Sequence, residues 1–225
     1  MRRYSCVLFD LDGTLSDPKE GIFRCFRLGL RSVGMDEPDD ERLRAVIGPP
    51  LYDSYTRLYG LTPEQAQTAI AAYRADYAVL GYRQNHLYEG VLPMLRAVHQ
   101  AGFFVMMATS KPEAPTMDII QHFGIAPYFD FVAAASMDHS RSEKSKVIEY
   151  ALQNAPGISK EQMVMVGDRQ YDLLGAQAHG LDGIGVLYGY GSYEELSACP
   201  YVFLASAPQE LCSFLLKHKL STKGP

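Results

Sequence analysis

At 225 residues, 47% hydrophobic and 21% charged, the chain is long enough to bury a substantial apolar interior, and its balance excludes a disordered or fibrous protein. A formal charge of −5 gives no electrostatic reason to bind nucleic acid or an anionic membrane surface, so small molecules are the expected partners. Cys6, Cys25, Cys199 and Cys212 show no Cys-x-x-Cys spacing and suggest neither a zinc site nor a disulfide framework.

The first predicted element is an apolar strand over residues 6–11. The run after Arg2 and Arg3 is too short for a secretory signal core, and no later segment approaches a membrane span. A cytoplasmic protein, monomeric or weakly homo-oligomeric, is expected. The strand carries Asp10 and Asp12 into a turn at Gly13-Thr14. Residues two apart on a strand leave on the same side, so both carboxylates face one small volume beyond the strand end. Two such anions repel unless a cation joins them. A solvated Asp-Gly turn is the plain alternative for this segment taken alone.

About seventy residues with helical periodicity and no convincing strand follow. Phe23, Phe26, Leu30 and Val33 form one helical stripe, and residues 63–82 are alanine-rich and periodic. A helical insertion over 17–86 is predicted, leaving 1–16 and 87–225 as the core. Within it, Arg24, Arg27 and Arg31 lie at helical spacing and read first as solvated surface, secondly as contacts for an anionic substrate tail. Tyr52, Tyr55 and Tyr59 read first as core of the insertion and secondly as a stacking platform. The stiff Gly48-Pro49-Pro50 turn is the better candidate to face a site.

Further apolar runs at 103–108, 131–135, 163–166 and 183–187, with helical patterns between them, predict parallel strands and crossover helices. Continuous apolarity marks strands covered on both faces, so the fold class is α/β, a doubly wound parallel sheet with a helical domain inserted after the first strand. Ligands of such sheets lie beyond the carboxyl ends of the strands. Three motifs fall there. Thr109-Ser110-Lys111 brings a hydroxyl and backbone N–H groups able to bind phosphate, although on this segment alone a helix N-cap by Thr109 or Ser110 is the better explanation. Gly167-Asp168-Arg169-Gln170-Tyr171-Asp172 predicts a helix beginning near Asp168, with Asp168 and Asp172 on one face. Lys144 and Lys146 precede a further helix, and either ammonium can reach back. Four aspartates and one lysine leave a negative excess that calls for a divalent cation. Oxygen ligands without His or Cys favour Mg2+.

In order and spacing, Asp10-Leu11-Asp12-Gly13-Thr14, Thr109-Ser110-Lys111, Lys144 and the 167–172 segment resemble the four motifs of the haloacid dehalogenase superfamily. The insertion is similar to that superfamily's helical cap. Gly48-Pro49-Pro50-Leu51 and Tyr188-Gly189-Tyr190-Gly191 resemble its phosphoglycolate phosphatase and 5′-nucleotidase-like branch. The resemblance implies a Rossmann-like core and a Mg2+-dependent phosphatase of a small phosphorylated metabolite. It implies Asp10 as nucleophile and Asp12 as general acid and base. It implies Mg2+ held by the Asp10 carboxylate, the Asp12 backbone carbonyl and Asp168, with Asp172 orienting the metal's water shell or the lysine. Thr109 and the Ser110 backbone are implied to bind the transferring phosphoryl group, with Gly13, Thr14 and Lys111 on the same substrate-binding side. Lys144 is the implied active-site lysine, with Lys146 in reserve, because the family often carries proline after this lysine and Ser145 stands there. By the same resemblance the cap closes over the site, hinging near 16–18 and 87–90. A β-phosphoglucomutase-like phosphotransferase and a phosphoacceptor module without turnover are the rival readings.

Overall fold

The computed structural model describes residues 2–138, 140–155 and 157–220. Strand β1 (Cys6–Phe9) is buried at all four positions, as a strand covered on both faces requires. Ser16–His86 then forms one compact unit, and the residues before and after it form the other.

Within Ser16–His86, β2 (Ser16–Asp17) leads into α1 (Lys19–Ser32), followed by the short helices α2 (Asp40–Leu43) and α3 (Leu51–Asp53) and the long α4 (Pro63–Tyr77). Helix α1 buries Ile22, Phe23, Cys25, Phe26 and Leu30, the apolar stripe that its 3.6-residue period predicts. Gly29 permits close approach to α4, since a Cβ there would lie 2.7 Å from the Ala69 carbonyl oxygen. Helix α4 starts in a capping box between Thr62 and Gln65, with Pro63 at its first position, satisfying N–H groups that a helix start otherwise leaves free. The tyrosines do not share one face. After α3 the backbone enters a π-helical turn, Ser54–Leu58, which changes the period. Tyr55 is buried and stacks on Phe26 with ring centroids 4.1 Å apart, whereas Tyr52 is exposed.

The second unit resumes around β3 (His86–Leu87) and α5 (Val91–Gln100). It continues through β4 (Phe104–Pro112), α6 (Glu113–His122), β5 (Phe131–Ala135) and α7 (Lys144–Gln153). Strand β6 (Met163–Gly167), α8 (Gln170–Ala178), β7 (Asp182–Val186), α9 (Tyr193–Ser197), β8 (Phe203–Ala205) and α10 (Pro208–Lys217) complete it. The six-stranded sheet has the order β5-β4-β1-β6-β7-β8, and every ladder is parallel. The expected doubly wound α/β class is thus found, with β8 as a sixth strand that periodicity did not predict. One face packs Cys6, Leu8, Met106, Met165, Val147 and Ile148 into a continuous core.

After β1 the chain fills one side of the sheet with β4 and β5, then crosses to the other with β6, β7 and β8. The crevice beside β1 is therefore the topological switch point, where open α/β sheets bind ligands. Phe9 pairs in register with Met107 of β4 and Val166 of β6, so the residues that follow these three positions emerge side by side. Among the described residues, no helix is long and apolar enough to cross a membrane.

Candidate active site

Asp10 leaves β1 with its backbone N–H donating to the Val166 carbonyl at 2.9 Å, which ties it to β6 as the ladder ends. Asp10, Asp168 and Asp172 each turn a carboxylate oxygen inward, the three atoms lie within 4.8 Å of one another, and all three residues are buried. Lys144, at the start of α7, enters the same cluster. Its Nζ donates to the Ala108 carbonyl at 2.9 Å and stands 2.8 Å from Asp10 Oδ1 and 2.9 Å from Asp172 Oδ1. Lys146, two residues on, is exposed.

Asp12 lies outside the three-carboxylate cluster and faces a different cation. Lys111 Nζ reaches Asp12 Oδ2 at 2.6 Å, and both side chains are largely buried. The turn of β4 makes this possible: its register with β5 shifts between Thr109 and Pro112, and the Lys111 N–H donates to Thr109 Oγ1 at 3.2 Å. Neither Thr109 nor Ser110 caps α6, because the strand runs on to Pro112, which occupies the cap position without a side-chain hydrogen bond. Thr109 is buried at the strand end and Ser110 half-buried beside it.

The predicted helix start near Asp168 is corrected. Helix α8 begins at Gln170, and Asp168 sits in the turn before it, pulled back by the Thr14 hydroxyl, which donates to Asp168 Oδ1 at 3.3 Å. Asp172 is on the helix and accepts the Arg169 N–H at 3.1 Å. Gly167 permits this, since a Cβ there would overlap the Asp172 carboxyl. The two aspartates converge by turn geometry rather than by sharing a helix face. Gly13 is similarly required: it has φ 85°, and a side chain there would overlap the Asp168 carboxylate.

Sequence reasoning missed two partnerships. One is the Asp12–Lys111 pair, across 99 residues. The other is the Tyr190 N–H, which donates to Asp168 Oδ2 at 2.8 Å; the glycines flanking Tyr190 were the available signal. Arg169 turns away, pairing with Glu195 at 2.9 Å, and Tyr171 is exposed. In the helical unit, Arg24 pairs with Asp76, Arg27 with Asp40 at 2.7 Å and Arg31 with Asp36 at 3.2 Å. All three arginines are thus ion-paired within their own unit.

With the neighbouring Asp12–Lys111 pair counted beside the cluster, four carboxylates and two ammonium groups leave a formal excess of two negative charges across the site. Burial, with the charges of Asp172 and Asp10, holds the Asp168 carboxyl well above the usual range. Burial likewise pushes Asp172 up to about 6 against the opposing pull of Lys144. Asp12 is also raised by burial, although Lys111 pulls it down. For Lys144 burial disfavours the charge, but Asp10 and Asp172 outweigh it and the ammonium is held. Among the described residues, Asp12 Oδ1 is buried without a hydrogen-bond donor. Asp10 Oδ1 and Asp172 Oδ1 receive only the off-line charge of Lys144. Donor-free oxygens on clustered buried carboxylates, with two charges uncompensated, fit a hard divalent cation of the Mg2+ kind.

Residues 7–186 match the family model described as haloacid dehalogenase-like hydrolase. The chain is 40% identical over 196 residues to a Pseudomonas aeruginosa protein named 5′-nucleotidase, covering 87% of this chain and 88% of that protein. It is 43% identical over 185 residues to the Mycobacterium tuberculosis protein named tyrosine-protein kinase PtkA, covering 82% of this chain and 62% of that one. Against a Vibrio vulnificus protein named phosphoglycolate phosphatase the identity is 30% over 218 residues, 93% of this chain and 95% of the other. Among solved structures, a protein from Clostridium acetobutylicum described as a predicted phosphatase superposes with TM-score 0.91 at 37% identity, covering 96% of this chain and 99% of that one.

Proposed function

From the premise that this chain belongs to the haloacid dehalogenase-like hydrolase family, we propose that it is a Mg2+-dependent phosphatase that hydrolyses small phosphomonoesters through an aspartyl phosphate. The observation that carries this reading is the placement of Asp10 beside Lys144, Asp168 and Asp172 at the switch point of the sheet. A phosphomonoester dianion repels a carboxylate nucleophile, so catalysis of its transfer is largely positioning and charge neutralisation. Ser16–His86 serves in this reading as the cap that selects the substrate.

The Asp10 carboxylate attacks phosphorus while the bond to the ester oxygen breaks. Asp12, whose carboxyl is raised by burial although Lys111 pulls it down, serves as the general acid that gives its proton to the departing alkoxide. Asp12 then takes a proton from the water that attacks the aspartyl phosphate, releasing inorganic phosphate and restoring Asp10. Lys144 holds Asp10 in place and counters its charge, and the Thr109 hydroxyl and Ser110 backbone receive the phosphoryl oxygens. When bound, Mg2+ would be held by the Asp10 and Asp168 carboxylates and the Asp12 carbonyl and would supply the remaining positive charge that the phosphoryl oxygens need.

Phosphate release from a panel of nucleoside 5′-monophosphates, phosphoglycolate and sugar phosphates is the test. Turnover is expected in Mg2+ and lost in EDTA, with the nucleotides first among candidates given the likeness to a protein named 5′-nucleotidase. No release from any ester in Mg2+ overturns the reading. The likeness to a protein named as a tyrosine kinase supports a second reading, phosphoryl transfer to a protein hydroxyl; labelled ATP with a tyrosine-containing protein acceptor tests it. Asp12→Asn is expected to slow turnover by about 10²- to 10⁴-fold. Phosphoenzyme should accumulate with substrates whose leaving groups need no proton, as acid-quenched labelling will register.

A further inference from the structure

Both carboxylate oxygens of Asp168 accept hydrogen bonds from the protein. Thr14 Oγ1 donates to Oδ1 at 3.3 Å and the Tyr190 N–H donates to Oδ2 at 2.8 Å. The second donor comes from Tyr188-Gly189-Tyr190-Gly191, the loop after β7, and that loop is pressed against the site. A Cβ at Gly189 would overlap both the Gly13 carbonyl oxygen and Asp168 Cβ, and one at Gly191 would overlap the Asp168 carbonyl oxygen. The loop is braced on both sides. Tyr188 Oη donates to the Thr14 carbonyl at 3.1 Å, and its ring meets Tyr88 edge-on at 5.1 Å. Beyond the loop, Glu195 of α9 accepts from Arg169 Nε and from the Gln170 N–H, each at 2.9 Å.

We propose that the 188–191 loop is the positioning element of the metal site: by fixing the Asp168 carboxylate from behind and locking it to the Gly13–Thr14 turn, it sets the affinity for Mg2+. The inference rests on the reading that Asp168 is a Mg2+ ligand, and it adds residues that take no part in bond making. A carboxylate free to rotate must be ordered by the incoming ion, whereas one already hydrogen-bonded presents its oxygens at no such cost, and outer partners of this kind commonly govern metal affinity. No side chain fits at Gly189 or Gly191 because the backbone itself must touch Asp168.

Calorimetric titration of the full chain with Mg2+ alone tests this. Gly189→Ala is expected to weaken binding by on the order of 10- to 100-fold, with turnover regained at high Mg2+ and the circular dichroism in EDTA unchanged. Tyr188→Phe, which removes only the brace to Thr14, is expected to weaken binding by about 2- to 10-fold. Hydrogen exchange of the wild-type chain gives a reading that needs no variant: the Tyr190 amide should be protected, and further protected by Mg2+. If both variants bind Mg2+ as wild type does, or if the Tyr190 amide exchanges freely whatever the metal, the loop has no such role. Wild-type protein that takes up no Mg2+ overturns the metal reading together with this one, whereas tight wild-type binding and indifferent variants overturn this one alone.

Discussion

Asp10→Asn is expected to lower phosphatase turnover by at least about 10⁴-fold, the scale seen when a nucleophile that works as part of a unit is removed. An asparagine amide is isosteric with the carboxylate but cannot form the acyl phosphate, so the loss belongs in kcat and in the burst of acid-stable label, not in folding. The charge balance supports that separation. Asp10 shares a volume with Asp168 and Asp172, the three carboxylate oxygens lying within 4.8 Å of one another, and removing one of three neighbouring anions relieves repulsion. In EDTA the variant should therefore melt no lower than the wild type, while the rise in melting temperature given by Mg2+ should shrink. Retained phosphate release would remove Asp10 from its assigned role. A variant that simply fails to fold would show that the Asp10–Lys144 pair outweighs the repulsion.

Much of this arrangement is legible in the chain because it is carried by local periodicity. The continuous apolar runs ending in Asp10, Thr109 and Gly167 report both the parallel sheet and the ends at which a site must form. What stays hidden depends on contacts between distant segments or on short elements. Strand β8 has only three residues, at the sheet edge, too few for a pattern to register. The start of α8 slips past Asp168 because Thr14 and Tyr190, far away in sequence, claim that side chain. The second cation, Lys111, is visible as a residue but not as the partner of Asp12, since only the irregular end of β4 brings it there. Arg24, Arg27 and Arg31 do recur at helical spacing, yet Asp76, Asp40 and Asp36 meet them, and periodicity on one helix says nothing of the charges that other segments bring.

Lys144→Met is expected to be the most destabilising single change at the site, by about 3–5 kcal/mol at neutral pH in EDTA. The methionine fills the stem's space but removes the ammonium that donates to the Ala108 carbonyl and sits 2.8 and 2.9 Å from Asp10 and Asp172, leaving buried anions with no counter-charge. The pH dependence follows from Asp172. Its carboxyl is raised from 3.8 to about 6 by burial and by Asp10, with Lys144 holding it down, so losing Lys144 raises it further. A carboxyl raised in the folded state contributes stability that is complete below the unfolded value and is lost as pH rises through the folded one. The variant and wild type should thus approach each other toward pH 5, where the folded variant keeps its proton, and diverge toward pH 8, where it must be given up. Mg2+ replaces the missing positive charge and should recover part of the difference at pH 8. Urea midpoints at both pH values, with EDTA and with Mg2+, measure all four corners. A deficit equal at pH 5 and pH 8 and indifferent to Mg2+ would mean that Lys144 matters here for packing alone, and that the cluster does not hold its charges as described.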